Sequence, residues 1–552
     1  MRILLPILVG LLSLTAVFAQ AQDDPAEVAI GERLFLETRF AQFFAEHSQG
    51  DVNLPLAAGD PVVATSETTG APLGGPFAGQ SINCRSCHLV DEQQVFDAQG
   101  FPSFDEGGMR TYADFARRSP IPRRDGDGAT RTPRNSPALV NASVARKAGL
   151  SFHFDGEFPS LASLVRATLT GRNYGWLPSE HNQAIAQIVR VVRKDDGSGE
   201  LAHEFGGPYA RVLLGTDPRI PEELRLPRNL RIDVVKASNE KIVRAVAKLI
   251  AIYVEQLEFA TDASGAFTGS PFDLFLARNQ LPRQPKKGET AFSYSRRLAA
   301  ALNALPSPRF VTDVDGPFAL HPQPFEFGPD ELAGLRVFLR EPSPSDAPDA
   351  TGVGNCVACH PAPFFTDFLF HNTGVSQLEY DGVHGDGAFA ALEVPGEAER
   401  KRDPEAFLPA TPKHPNGTGR FRAAVAASRP ELADLGLWNV FGNKDFSDAQ
   451  GRVKSLLKRS LTSKVGKKQM LDASLARFKT PGLRDLGHSG PYMHNGAFDT
   501  LASVVQLYMT TSELERSALL RNGASQLADV HLAPGDVAAV AAFLRSLDED
   551  YD

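Results

Sequence analysis

Cysteine is scarce in this chain of 552 residues: there are four. All four fall in two pentapeptides, Cys84-Arg85-Ser86-Cys87-His88 and Cys356-Val357-Ala358-Cys359-His360, which leaves none over for bridges elsewhere. An excess of positive charge is missing too. The formal net charge is -9, which argues against a nucleic-acid partner. After Ala19 no apolar run is long enough to suit a membrane span. The run that does exist, Ile3 to Ala19 behind Met1-Arg2, ends in small residues and reads as a secretory signal peptide over residues 1–21, cut after Ala19 or Ala21.

Each cysteine pair is followed at once by a histidine. The CxxCH pattern has a covalent logic: two thiols take the haem vinyl groups and the next imidazole becomes the proximal iron ligand. Disulfides or halves of a zinc site are the alternatives. Zinc sites of this spacing bring further cysteines or a histidine pair, and neither alternative explains the histidine. The expectation is two covalently bound haem c groups, attached where the exported chain meets haem, hence in the periplasm. About 530 residues remain after the signal, room for two or three domains of ~100–200 residues. The 47 glycines and 40 prolines sit mostly between motifs, as in a loop-rich protein wrapped round cofactors.

The chain echoes itself. Gly31-Glu32-Arg33-Leu34-Phe35 precedes the first motif and Gly334-Leu335-Arg336-Val337-Phe338 the second, each ending a short amphipathic helix pattern. Behind the motifs, Ser136-Pro137-Ala138-Leu139 answers Thr480-Pro481-Gly482-Leu483. The stretch from Asp155-Gly156 through Ser160 to Val165 answers that from Asn495-Gly496 through Thr500 to Val505, with Ser160 and Thr500 as helix N-caps. The expected fold is all-α: two cytochrome c-like haem domains with helical and loop insertions between them. The boundaries are 22–180 for the first haem domain, 181–325 for the helical insertion and linker, and 326–552 for the second. Within the insertion, Ala184 to Val192 and Ile242 to Leu257 are helical patterns, the latter capped by Ser238. Ser270-Pro271-Phe272-Asp273 starts another helix.

The ordered set of the two CxxCH motifs, Arg134-Asn135-Ser136-Pro137, Phe154-Asp155-Gly156, Ser270-Pro271-Phe272-Asp273, Phe365-Thr366-Asp367 and Pro491-Tyr492-Met493-His494-Asn495-Gly496 resembles the bacterial diheme cytochrome c peroxidase family, which includes MauG. The resemblance runs in blocks from about residue 28 to about 512. It implies a peroxidatic N-terminal haem that meets hydrogen peroxide and a six-coordinate C-terminal haem that transfers electrons.

The duplication itself locates the distal ligands. Counting from the paired helix starts, Tyr508, with Met509 beside it, stands where the first copy has Thr168 and Leu169. Phenolate and thioether bind haem iron; Thr and Leu do not. One residue is ~100° of helix, so Tyr508 and Met509 cannot both face the iron, and Tyr508 is favoured. By resemblance this position holds Met in ordinary members and Tyr in MauG. Met493 is expected to pack, while Met109 could reach the first haem. No histidine lies between His88 and His153 to cap that haem.

Two absences set the chain apart from the family. The distal glutamate position falls on Tyr174. The nearest carboxylates, Glu157 and Glu180, are candidate acid–base groups, though each reads first as a solvated surface charge. The bridging Trp before Asp-Gly is Phe154, so electron flow would use tunnelling between haem edges, or Trp176 or Tyr174; His153 reads as a packed, hydrogen-bonded imidazole. The resemblance also implies Ca2+ held by Asn135, Ser489 and Pro491, a structural or catalytic His494 near the haem interface, and Arg134 and Arg484 on haem propionates. The expected activity is peroxide reduction with a small cytochrome c or cupredoxin as donor. A MauG-like oxidase acting on a partner protein and a non-catalytic electron-transfer cytochrome are the alternatives, with a homodimer left open.

Overall fold

The computed structural model describes residues 24–64, 81–88, 95–96, 102–103, 118–119, 121–144, 146, 149–318, 323–347 and 350–550. The residues expected to form a signal peptide, and Met109, lie outside the described residues. The fold is helix-rich. Among the described residues, strand amounts to two two-residue ladders, 95–96 with 102–103 and Phe370–His371 with Phe478–Lys479, besides isolated bridges. No helix among them is long and apolar enough to cross a membrane.

One core joins helices Ala26–Phe35, Leu161–Leu169, His181–Lys194 and Asn239–Gln256 through Ile30, Leu34, Leu169, Ile188, Val192 and Ile250. Helices on either side of the expected 180/181 boundary therefore share one core. A second core joins Pro271–Arg278, Ala291–Asn303, Pro329–Leu339, Leu501–Arg516 and Pro534–Arg545. Smaller clusters around Trp438 and around Leu457 lie in the 369–476 stretch.

The sequence echoes have packing causes. A Cβ on Gly31 would sit 2.3 Å from the Leu249 carbonyl oxygen, and one on Gly334 would sit 1.9 Å from that of Ala539. Only glycine lets these helix backbones approach so closely. Ser160 and Thr500 cap their helices by accepting from the Ser163 and Ser503 amides, at 3.2 and 3.1 Å. Ser270 and Asp273 form a reciprocal capping box, with Pro271 at the first helical position. Ser238 occupies the expected cap position, but its side chain makes no cap bond.

Candidate functional site

Each CxxCH motif hangs from the end of the helix carrying its glycine echo. The Cys84 amide donates to the Phe35 carbonyl (3.3 Å), and the Asn355 amide donates to that of Arg340 (2.9 Å). Within the motifs, the His88 and His360 amides close one helical turn onto the Cys84 and Cys356 carbonyls, at 2.9 and 2.8 Å. No disulfide joins any of the four cysteines in the structure. Burial pushes the Cys84 thiol up to about 11 and that of Cys356 up to about 12.

Both motif histidines are oriented alike. His88 Nδ1 lies 3.0 Å from the Pro137 carbonyl and His360 Nδ1 lies 2.8 Å from that of Phe365. A backbone acceptor on Nδ1 fixes the tautomer that leaves Nε2 for a metal. Burial pulls His88 down to about 4, so the ring is neutral, as a ligand must be. Thiols in a CxxC turn with an oriented neutral imidazole behind them are the donor set that covalent haem requires, so the residues fit the group.

A cavity of about 720 Å³ opens beside the first motif. Its wall includes Cys84, Cys87 and His88, the helix face Leu164, Thr168 and Leu169, and Tyr174 and Trp176. Thr168 and Leu169 bring no iron ligand to it. In the second half Tyr508 takes the place of Thr168; it is half-buried against Leu520, Ala524 and Leu527, and desolvation, with Cys359 and Cys356 nearby, pushes its phenol up. Met509 packs instead against the apolar core that contains Val505. The paired turns are superposable in kind: Phe152 bridges Phe158 as Tyr492 bridges Phe498. His153 and Met493, at matched positions, are both left-handed, with φ of 61° and 72°.

Several expectations about polar residues are corrected. Glu157 is not solvated: it is 9% exposed, lies 3.1 Å from His153 Nδ1 and accepts from Arg422 at 2.5 Å. Burial pushes its carboxyl up, but Arg422 and His153 outweigh this and hold it below the usual range. Glu180 accepts from Arg124 at 2.6 Å and from the Leu177 amide at 2.8 Å, and it is not part of the cavity wall. Tyr174 is buried, with its hydroxyl 3.2 Å from Cys84 Sγ. Arg134, assigned to a propionate, spends its donors on Asp434 (2.6 and 2.8 Å) and Asp155 (2.7 Å). Arg484 forms a bidentate pair with Asp273 at 2.9 and 2.8 Å and donates its Nε to the Pro363 carbonyl.

Where the halves meet, the Asn135 side-chain amide bonds the Pro491 carbonyl, and the Asn135 amide donates to the His494 carbonyl at 2.7 Å. Two of the three residues expected at calcium thus adjoin. Ser489 bonds locally to Leu486. His494 is 5% exposed and stacks on Phe478 at 3.6 Å. Burial, with Arg134 and Arg118, pulls it to about 3 against the pull of Asp434. The sequence reading passed over Arg422 and Asp434, which come from the 404–449 stretch and carry no motif.

No protein-family model matches the chain. Cytochrome-c peroxidase IdrP2 of Denitromonas iodatirespirans is 27% identical over 202 residues, covering 36% of this chain and 37% of that protein. The namesake from Pseudomonas sp. (strain SCT) is 35% identical over 79 residues, 14% of this chain and 19% of that one. The chain thus spans well under half the length of the curated relatives it matches. Among solved structures, the diheme peroxidase BthA of Burkholderia thailandensis aligns over 95% of this chain and 86% of its own, with TM-score 0.41 and 17% identity. A MauG-like protein associated with microbial copper homeostasis aligns over 96% and 90%, with TM-score 0.41 and 15% identity. Over about a third of its length, then, the chain is similar to a cytochrome-c peroxidase, and it carries two CxxCH motifs.

Proposed function

We propose that the chain is a periplasmic diheme c-type peroxidase built from two haem-binding halves. Cys84, Cys87 and His88 would hold the haem that meets hydrogen peroxide. Cys356, Cys359, His360 and Tyr508 would hold the haem that receives electrons from a small cytochrome c or cupredoxin. Haem, when bound, supplies the redox chemistry; the chain fixes which iron stays accessible. The observation that carries this reading is the mismatch between paired helices. Thr168 and Leu169 line the cavity at His88, whereas the half-buried Tyr508 lies near enough to Cys359 and Cys356 to feel their charge. A site without a sixth ligand can admit peroxide, and a phenolate closes the other. Asn135, Ser489 and Pro491 remain the candidate Ca2+ holders; oxygen donors of this kind suit a hard cation.

Stopped-flow mixing of the diferric protein with peroxide tests the proposal. An immediate change in the spectrum of one haem, followed by turnover with a reduced small cytochrome or cupredoxin, is expected. Two low-spin six-coordinate haems that do not respond would instead mean an electron-transfer cytochrome. The Tyr508 ligand favours a MauG-like oxidase as second reading. Slow decay of the oxidised species without turnover by any small donor would select it.

A further inference from the structure

The chain lacks the carboxylate expected for moving a proton on bound peroxide, because Tyr174 holds that place with its hydroxyl on Cys84 Sγ. Another group in the same cavity has the parts. His153, Glu157 and Arg422 all line the cavity that contains His88. His153 Nδ1 is 3.1 Å from a Glu157 oxygen, and Arg422 bonds that carboxylate at 2.5 Å and also the buried Asp155. No bond occupies His153 Nε2 among the described residues, and the side chain is 34% exposed, so the imidazole is not a core group locked on both nitrogens. His153 has the left-handed backbone, φ 61°, that its counterpart Met493 also has, so the turn presents the side chain at this place in both halves. The second half has Met493 and Ala497 at the matched places, so the group exists only where the iron is argued to be open.

We propose that His153, oriented by Glu157 and Arg422, is the acid–base residue of the His88 haem cavity. This rests on the peroxidase reading. His153 Nε2 takes the proton from one peroxide oxygen and returns it to the other, which leaves as water when the O–O bond breaks. Two electrons, which bound haem would supply and the donor protein would replace, and two protons from solvent would complete the second water. Glu157 fixes the tautomer and stabilises the imidazolium, as the carboxylate does in a His–Asp couple. Arg422 keeps Glu157 ionised and places positive charge where oxygen becomes anionic. Glu157, Asp155 and His88 lie near His153, and Arg422 and Arg134 bond the two carboxylates. Because Arg422 comes from the C-terminal half, that half completes the first haem's site.

The test uses the diferric holoprotein and two readouts, reaction with peroxide and binding of cyanide, which enters as HCN and must lose its proton. Asn tolerates left-handed backbone, so His153→Asn should fold. It should slow the peroxide reaction by about 10²–10⁴, the usual worth of a positioned acid–base group, and should slow cyanide binding. Glu157→Gln should slow both reactions less than His153→Asn does, because the imidazole loses the carboxylate that orients it. A correctly folded His153→Asn protein with wild-type rates overturns the proposal; so does a Glu157→Gln protein whose peroxide and cyanide rates both match wild type. If wild-type protein ignores peroxide yet binds cyanide in a His153-dependent way, the peroxidase reading fails while the proton-handling assignment stands.

Discussion

Replacing Arg134 with Met should destabilise the junction between the halves, and the size follows from what Arg134 leaves behind. Its guanidinium sits between Asp155, 0% exposed, and Asp434, 4% exposed. Asp155 would keep Arg422, but Asp434 would keep little beyond the Gly436 amide at 2.9 Å. Removing one partner of a buried pair strands a charge and costs about 3–5 kcal/mol. For a cooperative unit of 150–250 residues this is a fall in melting temperature of roughly 6–20 °C. The pH dependence has a definite sign. Burial raises the carboxyls of Asp155 and Asp434, but Arg134 outweighs it and both end below their usual range. Their contribution is therefore complete above about pH 4, the unfolded value, and is lost as pH falls through the folded ones. Without Arg134 the burial of Asp434 dominates and its carboxyl rises, so the gap between variant and wild type should be widest near pH 7 and narrow towards pH 4. Thermal unfolding followed by near-UV circular dichroism at both pH values measures it. Adding Asp434→Asn to the variant should recover most of the loss. A cost below about 1 kcal/mol, or no recovery in the double variant, would refute the stranded-charge reasoning.

Other outcomes follow from the same geometry. Tyr508→Met should raise the potential of the His360 haem markedly in a redox titration, since phenolate favours ferric iron more than thioether does; Met509→Leu should leave it nearly unmoved, and the opposite pattern would pass the ligand role to Met509. His88→Gly should abolish peroxide turnover while the low-spin signal of the other haem persists; retained turnover would mean that the haem roles are reversed. Glu180→Gln should leave peroxide turnover at the wild-type level, because the pair with Arg124 is partly exposed and worth about 0–1 kcal/mol.

Local rules made much of this molecule legible. The caps at Ser160, Thr500 and Ser270 need only residues three apart, and the glycines at 31 and 334 announce close helix approach by lacking a Cβ. The cavity wall was legible only in part. Glu157 reads as a surface charge because its cation, Arg422, is 265 positions away, and Arg134 reads as a propionate ligand because Asp434 is 300 positions away. Nothing in a window of sequence reports such partners. Glu180 failed the other way: a carboxylate near the right place in sequence turned out to be held by Arg124 and a backbone amide.

The duplication explains why these failures gather in one place. The two turns share their bridges, their left-handed residues and their helix caps, so the scaffold that presents each haem is common to both halves. What differs are the side chains mounted on it. Phe154, Asp155 and Glu157 face His494, Asn495 and Ala497 in the comparison, and Thr168 faces Tyr508. Each exchange moves the halves in opposite directions. The first turn gains two carboxylates, which must be matched by cations when buried, and Arg134 and Arg422 provide them. The second loses its carboxylates and gains a phenol on its helix. A buried charged network beside the His88 cavity suits proton movement, whereas a helix that would add Tyr508 as a ligand suits electron transfer with little rearrangement. A reciprocal exchange therefore makes a sharper demand than any single substitution: Thr168→Tyr together with Tyr508→Thr should transfer the open-site spectrum to the His360 haem without restoring peroxide turnover, because the His153 group would remain behind at His88. Resting-state EPR and steady-state turnover of that double variant would check it, and full activity at the transferred site would show that ligation alone, and not the polar network, decides which haem is peroxidatic.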